Sequence, residues 1–204
     1  MTSQHALLLI DLQNDFCPGG ALAVGEGDRV IAIANHYAAE FRQRNRPVVA
    51  TLDWHPAGHG SFSSASGQPA WTQGELDGLP QIWWPDHCVQ HSEGAALHPV
   101  LHEHLISTKI YKGEDVKVDS YSAFFDNGHR RQTLLDSWLK QQQVTALTVM
   151  GLATDYCVKY SVLDALALGY TTTVIAAGCR GVDLQPGDSE RALGEMAAKG
   201  AIIV

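Results

Sequence analysis

Several features that would place a chain in a special class are missing from this sequence. Of its 204 residues 45% are hydrophobic and 18% are charged, which is not the composition of a disordered chain. The N-terminus lacks a basic segment, and the apolar run 6–10 is too short for a signal core or a membrane span. We therefore expect a globular, cytoplasmic protein without a membrane partner.

Positive charge and paired cysteines are also scarce. The formal net charge is -8, which argues against nucleic acid or an anionic membrane surface as the main partner. The four cysteines, Cys17, Cys88, Cys157 and Cys179, form neither a CxxC pair nor a compact disulfide framework. A domain of this size needs no disulfides, so we expect reduced thiols.

Apolar runs alternate with segments of helical period along the chain. We predict strands over residues 6–10, 47–52, 105–111, 144–150, 171–177 and 201–204, and helices over 28–45, 129–142, 154–168 and 188–199. Residues 54–104 are rich in Gly, Pro, Ser, Trp and His without a sustained period, which is typical of functional loops. The pattern predicts one α/β domain over residues 1–204: a doubly wound, mainly parallel six-stranded sheet flanked by helices.

Polar residues follow the predicted strands. Asp11, Asp53, Lys112 and the segment 151–157 each come directly after an apolar run. The carboxyl ends of parallel strands form the ligand-binding edge of such a sheet. We therefore expect these residues to meet there, although they are distant in sequence.

Cys157 would start a helix after the fourth strand, where free N–H groups and the helix dipole favour a thiolate and so lower its pKa. It is either a nucleophile or a small buried hydrophobe. Asp11 is either a general base or a turn former. Lys112 would assist the thiol, although Lys109 and Lys117 fit the spacing almost as well.

A metal site is the stronger signal. In the run DWH, Asp53 and His55 point to the same side of an extended segment, and His87 lies in the same aromatic-rich region. Two histidines and a carboxylate with open positions suit Zn, Fe or Mn. His59 is a possible fourth ligand, and the alternative for each histidine is a solvated surface role.

Five motifs occur in a fixed order over nearly the whole chain. They are DLQNDF at 11–16, DWH at 53–55, WPDHCVQ at 84–90, YKG at 111–113 and ATDYCV at 153–158. Together they resemble the nicotinamidase family of isochorismatase-like cysteine hydrolases. One departure is His91, which stands where many members of that family have glycine.

The resemblance implies deamidation of nicotinamide to nicotinate and ammonia through a thioester, as a step of NAD salvage, with pyrazinamide as a further substrate. It implies a catalytic triad of Asp11, Lys112 and Cys157. It implies an oxyanion hole from the backbone N–H groups of Ala153 and Cys157. It also implies a cis peptide bond between Leu152 and Ala153.

The resemblance further implies one divalent metal ion on Asp53, His55 and His87, with His59 as a possible addition. It implies an aromatic substrate pocket formed by Phe16, Trp84, Tyr121 and Tyr156.

Three alternatives stay open. A related carbamoyl or ureido amidohydrolase would share the triad but typically lacks the DxH…H metal loop. A non-catalytic metal- or ligand-binding protein would need no nucleophile. A thiol–disulfide role would need Cys17 or Cys88 to approach Cys157 in space. A homo-oligomer is compatible with the composition.

Overall fold

The computed structural model describes residues 4–204, and its helices and strands alternate along the chain. In chain order they are β1 (Gln4–Ile10), α1 (Arg29–Gln43), β2 (Val48–Asp53), α2 (Ser63–Ser66), β3 (Gln73–Leu76), β4 (Leu79–Ile82), β5 (Thr108–Lys112), α3 (Leu135–Gln141), β6 (Val144–Leu152), α4 (Lys159–Ala167), β7 (Thr171–Arg180), α5 (Asp188–Ala198) and β8 (Ile202–Ile203). Short 3₁₀ turns cover Asn14–Phe16 and Glu103–Leu105.

Six parallel strands form one sheet in the order β5-β2-β1-β6-β7-β8. The chain leaves β1 toward β2 and β5 on one side, and returns through β6 to β7 and β8 on the other. The strand order therefore reverses between β1 and β6, which is where a doubly wound sheet opens a crevice for a ligand. The predicted six-stranded, doubly wound sheet is confirmed.

The core lies on both faces of this sheet. Residues 6–10 of β1 are all buried, which explains why they read as a continuous apolar run and not as an alternating one. Helix α1 packs against the sheet through a stripe of buried residues: Val30, Ile31, Ala34, Ala38 and Phe41. Each fully buried Leu or Ile contributes about 1.5–3 kcal/mol of transfer free energy.

Two predicted elements were wrong at their N-terminal ends. The helix predicted over 129–142 begins only at Leu135, because the Asp126 carboxylate accepts backbone N–H groups of Gly128, Arg130 and Arg131 and holds a loop there. The strand predicted over 105–111 spans Thr108–Lys112, because a 3₁₀ turn precedes it. Leu105 and Ile106, at the end of that turn, pack against the core. Their apolar character therefore reflects burial and did not indicate a strand.

Region 54–104 contains a hairpin that the sequence analysis missed. Strands β3 and β4 pair antiparallel around Asp77 and Gly78, both with positive φ (48° and 82°). An Asp-Gly pair at such angles is a type I′ hairpin signal. Among residues 4–204 no helix has the length and apolar character that crossing a membrane would require.

Candidate active site

The candidate site lies at the carboxyl ends of β1, β2, β5 and β6, beside the reversal of strand order. Lys112 is the last residue of β5, pairs in register with Asp53 at the end of β2, and is 2% exposed. Its Nζ lies 2.9 Å from Asp11 Oδ2, 2.6 Å from Asp53 Oδ1 and 3.5 Å from Cys157 Sγ. The carbonyl oxygen of Ser120 accepts a further hydrogen bond from Nζ at 2.9 Å. One buried cation therefore joins two carboxylates and a thiol.

Asp11 takes a left-handed backbone conformation (φ 49°) as the chain leaves β1, which Asp tolerates better than most residues. Its side chain is fully buried, and Thr51 Oγ1 donates to Oδ1 at 2.5 Å. Oδ2 has no hydrogen-bond donor of good geometry and faces Lys112. Burial, reinforced by the nearby Asp53 charge, raises the pKa of Asp11 despite Lys112, as expected for a carboxylate that exchanges protons.

Cys157 lies in a π-helical turn, Thr154–Val158, that leads into α4, and not in the regular α-helix predicted over 154–168. The expected cis peptide bond between Leu152 and Ala153 precedes this turn and is confirmed. Gly151 has φ 136° and lies against the backbone of Ile10, where a Cβ would come within 2.2 Å of the carbonyl oxygen. Glycine at this position therefore lets β6 approach β1 closely just before the turn that carries Cys157.

The prediction that the helix N-terminus lowers the pKa of the Cys157 thiol was wrong. Burial, with Asp11 and Asp53 nearby, raises the pKa of Cys157 well above its usual value, although Lys112 acts in the opposite direction. Burial would lower the pKa of Lys112, but Asp11 and Asp53 outweigh it and raise that pKa well above normal. The thiol therefore keeps its proton until a base removes it, and Lys112 stays charged.

Asp53, His55 and His87 form a second group beside this one. A ligand atom of each lies within 4.8 Å of the others. Asp53 Oδ2 is 3.4 Å from His55 Nε2 and 3.5 Å from His87 Nε2. Two ligands of one tetrahedral zinc are ~3.3 Å apart, given metal–ligand bonds of about 2.0–2.1 Å. The two distances from Asp53 Oδ2 to the histidine nitrogens fit a shared ion.

The two histidine rings are oriented for such an ion by backbone carbonyls. His55 Nδ1 donates to Gly113 O at 2.9 Å, and His87 Nδ1 donates to Pro85 O at 2.8 Å. This leaves Nε2 of each ring facing Asp53, and His55 Nε2 is buried without a hydrogen-bond partner. A carbonyl on the far nitrogen is the usual support of a metal-binding histidine.

Electrostatics at this group also suit a cation. Burial would raise the pKa of Asp53, but Lys112 and His55 outweigh it and hold that pKa well below its usual range. Burial works against protonation of His55, yet Asp53 outweighs it and raises the pKa of the ring. A proton and a metal ion would therefore compete for His55 Nε2, as at other histidine metal sites.

His59 lies beside His55, with ring centroids 4.4 Å apart, but both of its nitrogens are engaged. Nδ1 pairs with Ser61 Oγ at 2.8 Å, and Nε2 donates to Asp115 O at 2.7 Å. In this arrangement His59 offers no free nitrogen to an ion, which disfavours the fourth-ligand hypothesis. His91 takes φ 66°, a conformation that glycine adopts without strain.

A small pocket of about 30 Å³ opens onto both groups. The four predicted aromatic residues all line it: Phe16, Trp84, Tyr121 and Tyr156. Trp84 and Tyr156 meet edge to face with centroids 5.0 Å apart, and Trp84 Nε1 donates to Tyr121 Oη at 3.3 Å. Ala153 and Cys157 lie on the same wall, so a flat aromatic ring in this pocket would present a substituent to the thiol.

Three buried residues of the site were missed. Thr51 binds Asp11, Gln13 binds the backbone of Asp53, and Asp119 lines the pocket. Gln13 lies inside the DLQNDF motif, so its position in that motif was an available signal. Asp119 follows the strand that ends in Lys112, but nothing in its local pattern separates it from a surface acid.

Comparisons with known proteins define the class first. The isochorismatase domain model matches residues 5–204, and the chain belongs to this family. A nicotinamidase of Escherichia coli (strain K12) is 60% identical over 98% of this chain and 93% of its own length.

Solved structures agree with that class. The nicotinamidase/pyrazinamidase of Acinetobacter baumanii superposes with a TM-score of 0.93 at 38% identity, covering 100% of this chain and 97% of its own. A pyrazinamidase of Pyrococcus horikoshii, solved in complex with zinc, gives 0.82 at 37% identity, with 98% of each chain covered.

Proposed function

We propose that this chain is a cysteine amidohydrolase that converts nicotinamide to nicotinate and ammonia, as in NAD salvage, and that it also accepts pyrazinamide. The observation that carries the proposal is Lys112, whose Nζ contacts Asp11, Asp53 and Cys157, the last two of which line the aromatic pocket. The 60% identity to the Escherichia coli nicotinamidase supports the choice of substrate. The four free cysteines support a reducing compartment, which we take to be the cytoplasm.

Asp53, His55 and His87 would hold one divalent metal ion, and the zinc complex of the Pyrococcus horikoshii pyrazinamidase supports zinc first among Zn, Fe and Mn. When bound, such an ion would supply a Lewis acid for the pyridine nitrogen of the substrate. The aromatic walls would hold the plane of the ring, with its carboxamide directed toward Cys157, which lines the same pocket.

The chemical steps use the triad. Asp11 takes the thiol proton of Cys157, and Lys112 stabilises the resulting negative charge. The sulfur attacks the amide carbon, and backbone N–H groups of Ala153 and Cys157 stabilise the oxyanion. The C–N bond breaks and ammonia leaves with the proton from Asp11.

The second half restores the enzyme. A water molecule, deprotonated by Asp11, attacks the thioester carbon, and the C–S bond breaks. Nicotinate forms, and the sulfur of Cys157 recovers its proton. Burial raises the pKa of Asp11, so its carboxylate is a stronger base than a free carboxylate and more readily takes up a proton from the thiol or from water.

Ammonia release from nicotinamide by the purified protein tests the proposal, run beside Cys157→Ala. We expect release by the wild type alone, with equal metal content in both proteins. Release from a carbamoyl or ureido compound and not from nicotinamide would replace this substrate assignment. Equal release by both proteins would remove Cys157 from the mechanism.

A further inference from the structure

Asp119 is a buried carboxylate that the proposed mechanism leaves without a role. Its side chain is 3% exposed and lies in the pocket wall together with Asp53 and His87. Gln81 Nε2 donates to Oδ2 at 2.9 Å, and the backbone N–H of Ser120 donates to Oδ1 at 2.8 Å. Both contacts bring hydrogen-bond donors to the carboxylate oxygens, which can only accept when the group is charged.

This carboxylate has no cation of its own. Asp11 and Asp53 each face Lys112 within 2.9 Å, whereas among residues 4–204 the one basic side chain with a nitrogen within 4.0 Å of the Asp119 carboxylate is His55. A buried negative charge is costly unless a cation compensates it. The His55 nitrogen that lies 4.0 Å from Asp119 Oδ1 is Nε2, which is itself buried without a hydrogen-bond partner. The Asp119 carboxylate, which has no Lys or Arg partner, and His55 Nε2, which has no hydrogen-bond partner, therefore face the same space.

The charge balance of the proposed metal site also calls for a negative charge near Asp119. His55 and His87 would bind an ion as neutral ligands, and Asp53 shares its charge with Lys112 Nζ at 2.6 Å. A divalent ion on these three residues would thus be left with most of its charge uncompensated in a buried site. Asp119 is the nearby carboxylate whose charge is not already shared with Lys112.

We propose that Asp119 is the charge-compensating carboxylate of the metal centre, fixed in place by Gln81 of β4. This inference rests on the metal site of the proposed function and adds a fourth protein group to it. In this proposal the β3–β4 hairpin helps to position Asp119. The Gln81 side chain, which is 4% exposed, connects that hairpin to the site.

The test measures zinc affinity of the metal-stripped full chain by competition with a chromophoric chelator, without substrate. We expect Asp119→Asn to weaken zinc binding about 10- to 100-fold, the usual effect of losing a supporting group of a metal site. Gln81→Leu should weaken it less, because the carboxylate remains. Asp136→Asn is the matched control, since Asp136 is equally buried but pairs with Lys140 and Tyr170.

Circular dichroism and urea unfolding of the metal-free proteins show whether each variant folds, and Asp119→Ser replaces Asp119→Asn if that variant does not.

Unchanged zinc affinity of a folded Asp119 variant overturns the inference while leaving the metal site intact. Loss of zinc affinity by Asp136→Asn as well overturns it too, because the effect would then be general. No zinc binding by the wild type overturns both the site and the inference. If the wild type releases no ammonia from nicotinamide but the Asp119 variant still binds zinc more weakly, the inference is supported. Only the assignment of nicotinamide as substrate is then wrong.

Discussion

Gln13 binds both backbone polar groups of Asp53. Its Nε2 donates to the Asp53 carbonyl at 2.8 Å, and its Oε1 accepts the Asp53 N–H at 2.8 Å. Nε2 also donates to the carbonyl of Ala95 at 2.9 Å, and the Gln13 side chain is fully buried. The amide therefore fixes the end of β2, from which the Asp53 side chain reaches both Lys112 and the two histidines.

We expect Gln13→Leu to destabilise the protein and to weaken metal binding together. Leucine fills a similar volume but leaves buried backbone groups of Asp53 without partners, at about 1–3 kcal/mol for each unsatisfied group. The free energy of unfolding in urea should fall by at least about 2 kcal/mol. Zinc affinity of the folded variant should fall about tenfold, because Asp53 is no longer held in place.

Gln141→Leu is the control, because Gln141 is exposed at the end of α3. Its unfolding free energy should stay within about 0.5 kcal/mol of the wild type, with unchanged zinc affinity. If Gln13→Leu lost stability but kept full zinc affinity, Gln13 would be a packing residue and not a positioning residue for Asp53.

Lys112→Met should damage both stability and thiol chemistry. It leaves Asp11 and Asp53 buried without their cation, and breaking a buried ion pair costs about 3–5 kcal/mol. It also removes the charge that lowers the pKa of Cys157, so that pKa should rise further. We expect lower stability in urea and slower alkylation of Cys157 by iodoacetamide under native conditions, with Cys157→Ala giving the background.

Lys109→Met on the same strand is the matched control. Lys109 pairs with Glu103 at 2.5 Å, but both side chains are substantially exposed, at 34% and 57%. Such a pair contributes about 0–1 kcal/mol. Equal losses in the two variants would show that the buried cation at Lys112 has no special role.

Much of this fold could be predicted because its strands are buried on both faces. Residues 6–10 form an uninterrupted apolar run and residues 47–52 a run broken only by Thr51; an acid follows each, and parallel topology brings those acids to one edge. Lys112 was harder to assign than Asp11, since Lys109 fits the local spacing almost as well. Only register separates them: Lys112 pairs with Asp53, whereas Lys109 pairs with Ala50.

Features that depend on contacts between distant segments could not be predicted. Asp119 is buried because Gln81 from the hairpin reaches it, and no local period reports that contact. The thiol pKa was misjudged for a similar reason. The helix N-terminus near Cys157 is visible in the sequence, whereas the burial and the carboxylates that outweigh it are visible only in three dimensions.

His5 should make stability depend on pH. Burial, with Arg46 nearby, lowers its pKa below the ordinary 6.5, and Nε2 pairs with Thr148 Oγ1 at 2.9 Å. As pH falls through 6.5, the unfolded chain takes up a proton at His5 that the folded chain does not, so the wild type loses stability. His5→Gln lacks this loss. The stability gap between the two metal-free proteins should therefore shrink between pH 7.5 and 5.5, whereas a constant gap would show that His5 titrates alike in both states.

Replacing two glycines by alanine should give opposite results. At Gly151, φ is 136° and a Cβ would meet the Ile10 backbone at 2.2 Å, so β1 and β6 must separate beside Asp11. We expect Gly151→Ala to cost more than the ~1–3 kcal/mol of backbone strain alone, and to lower ammonia release in any folded fraction.

At Gly194, inside α5, nothing lies within 4 Å of the new Cβ. Gly194→Ala should instead stabilise the protein by up to about 1 kcal/mol. Both changes add the same methyl group and the same loss of chain entropy, so urea unfolding of the pair isolates the close approach of β6 to β1. Equal stability of the two variants would mean that this approach is not required.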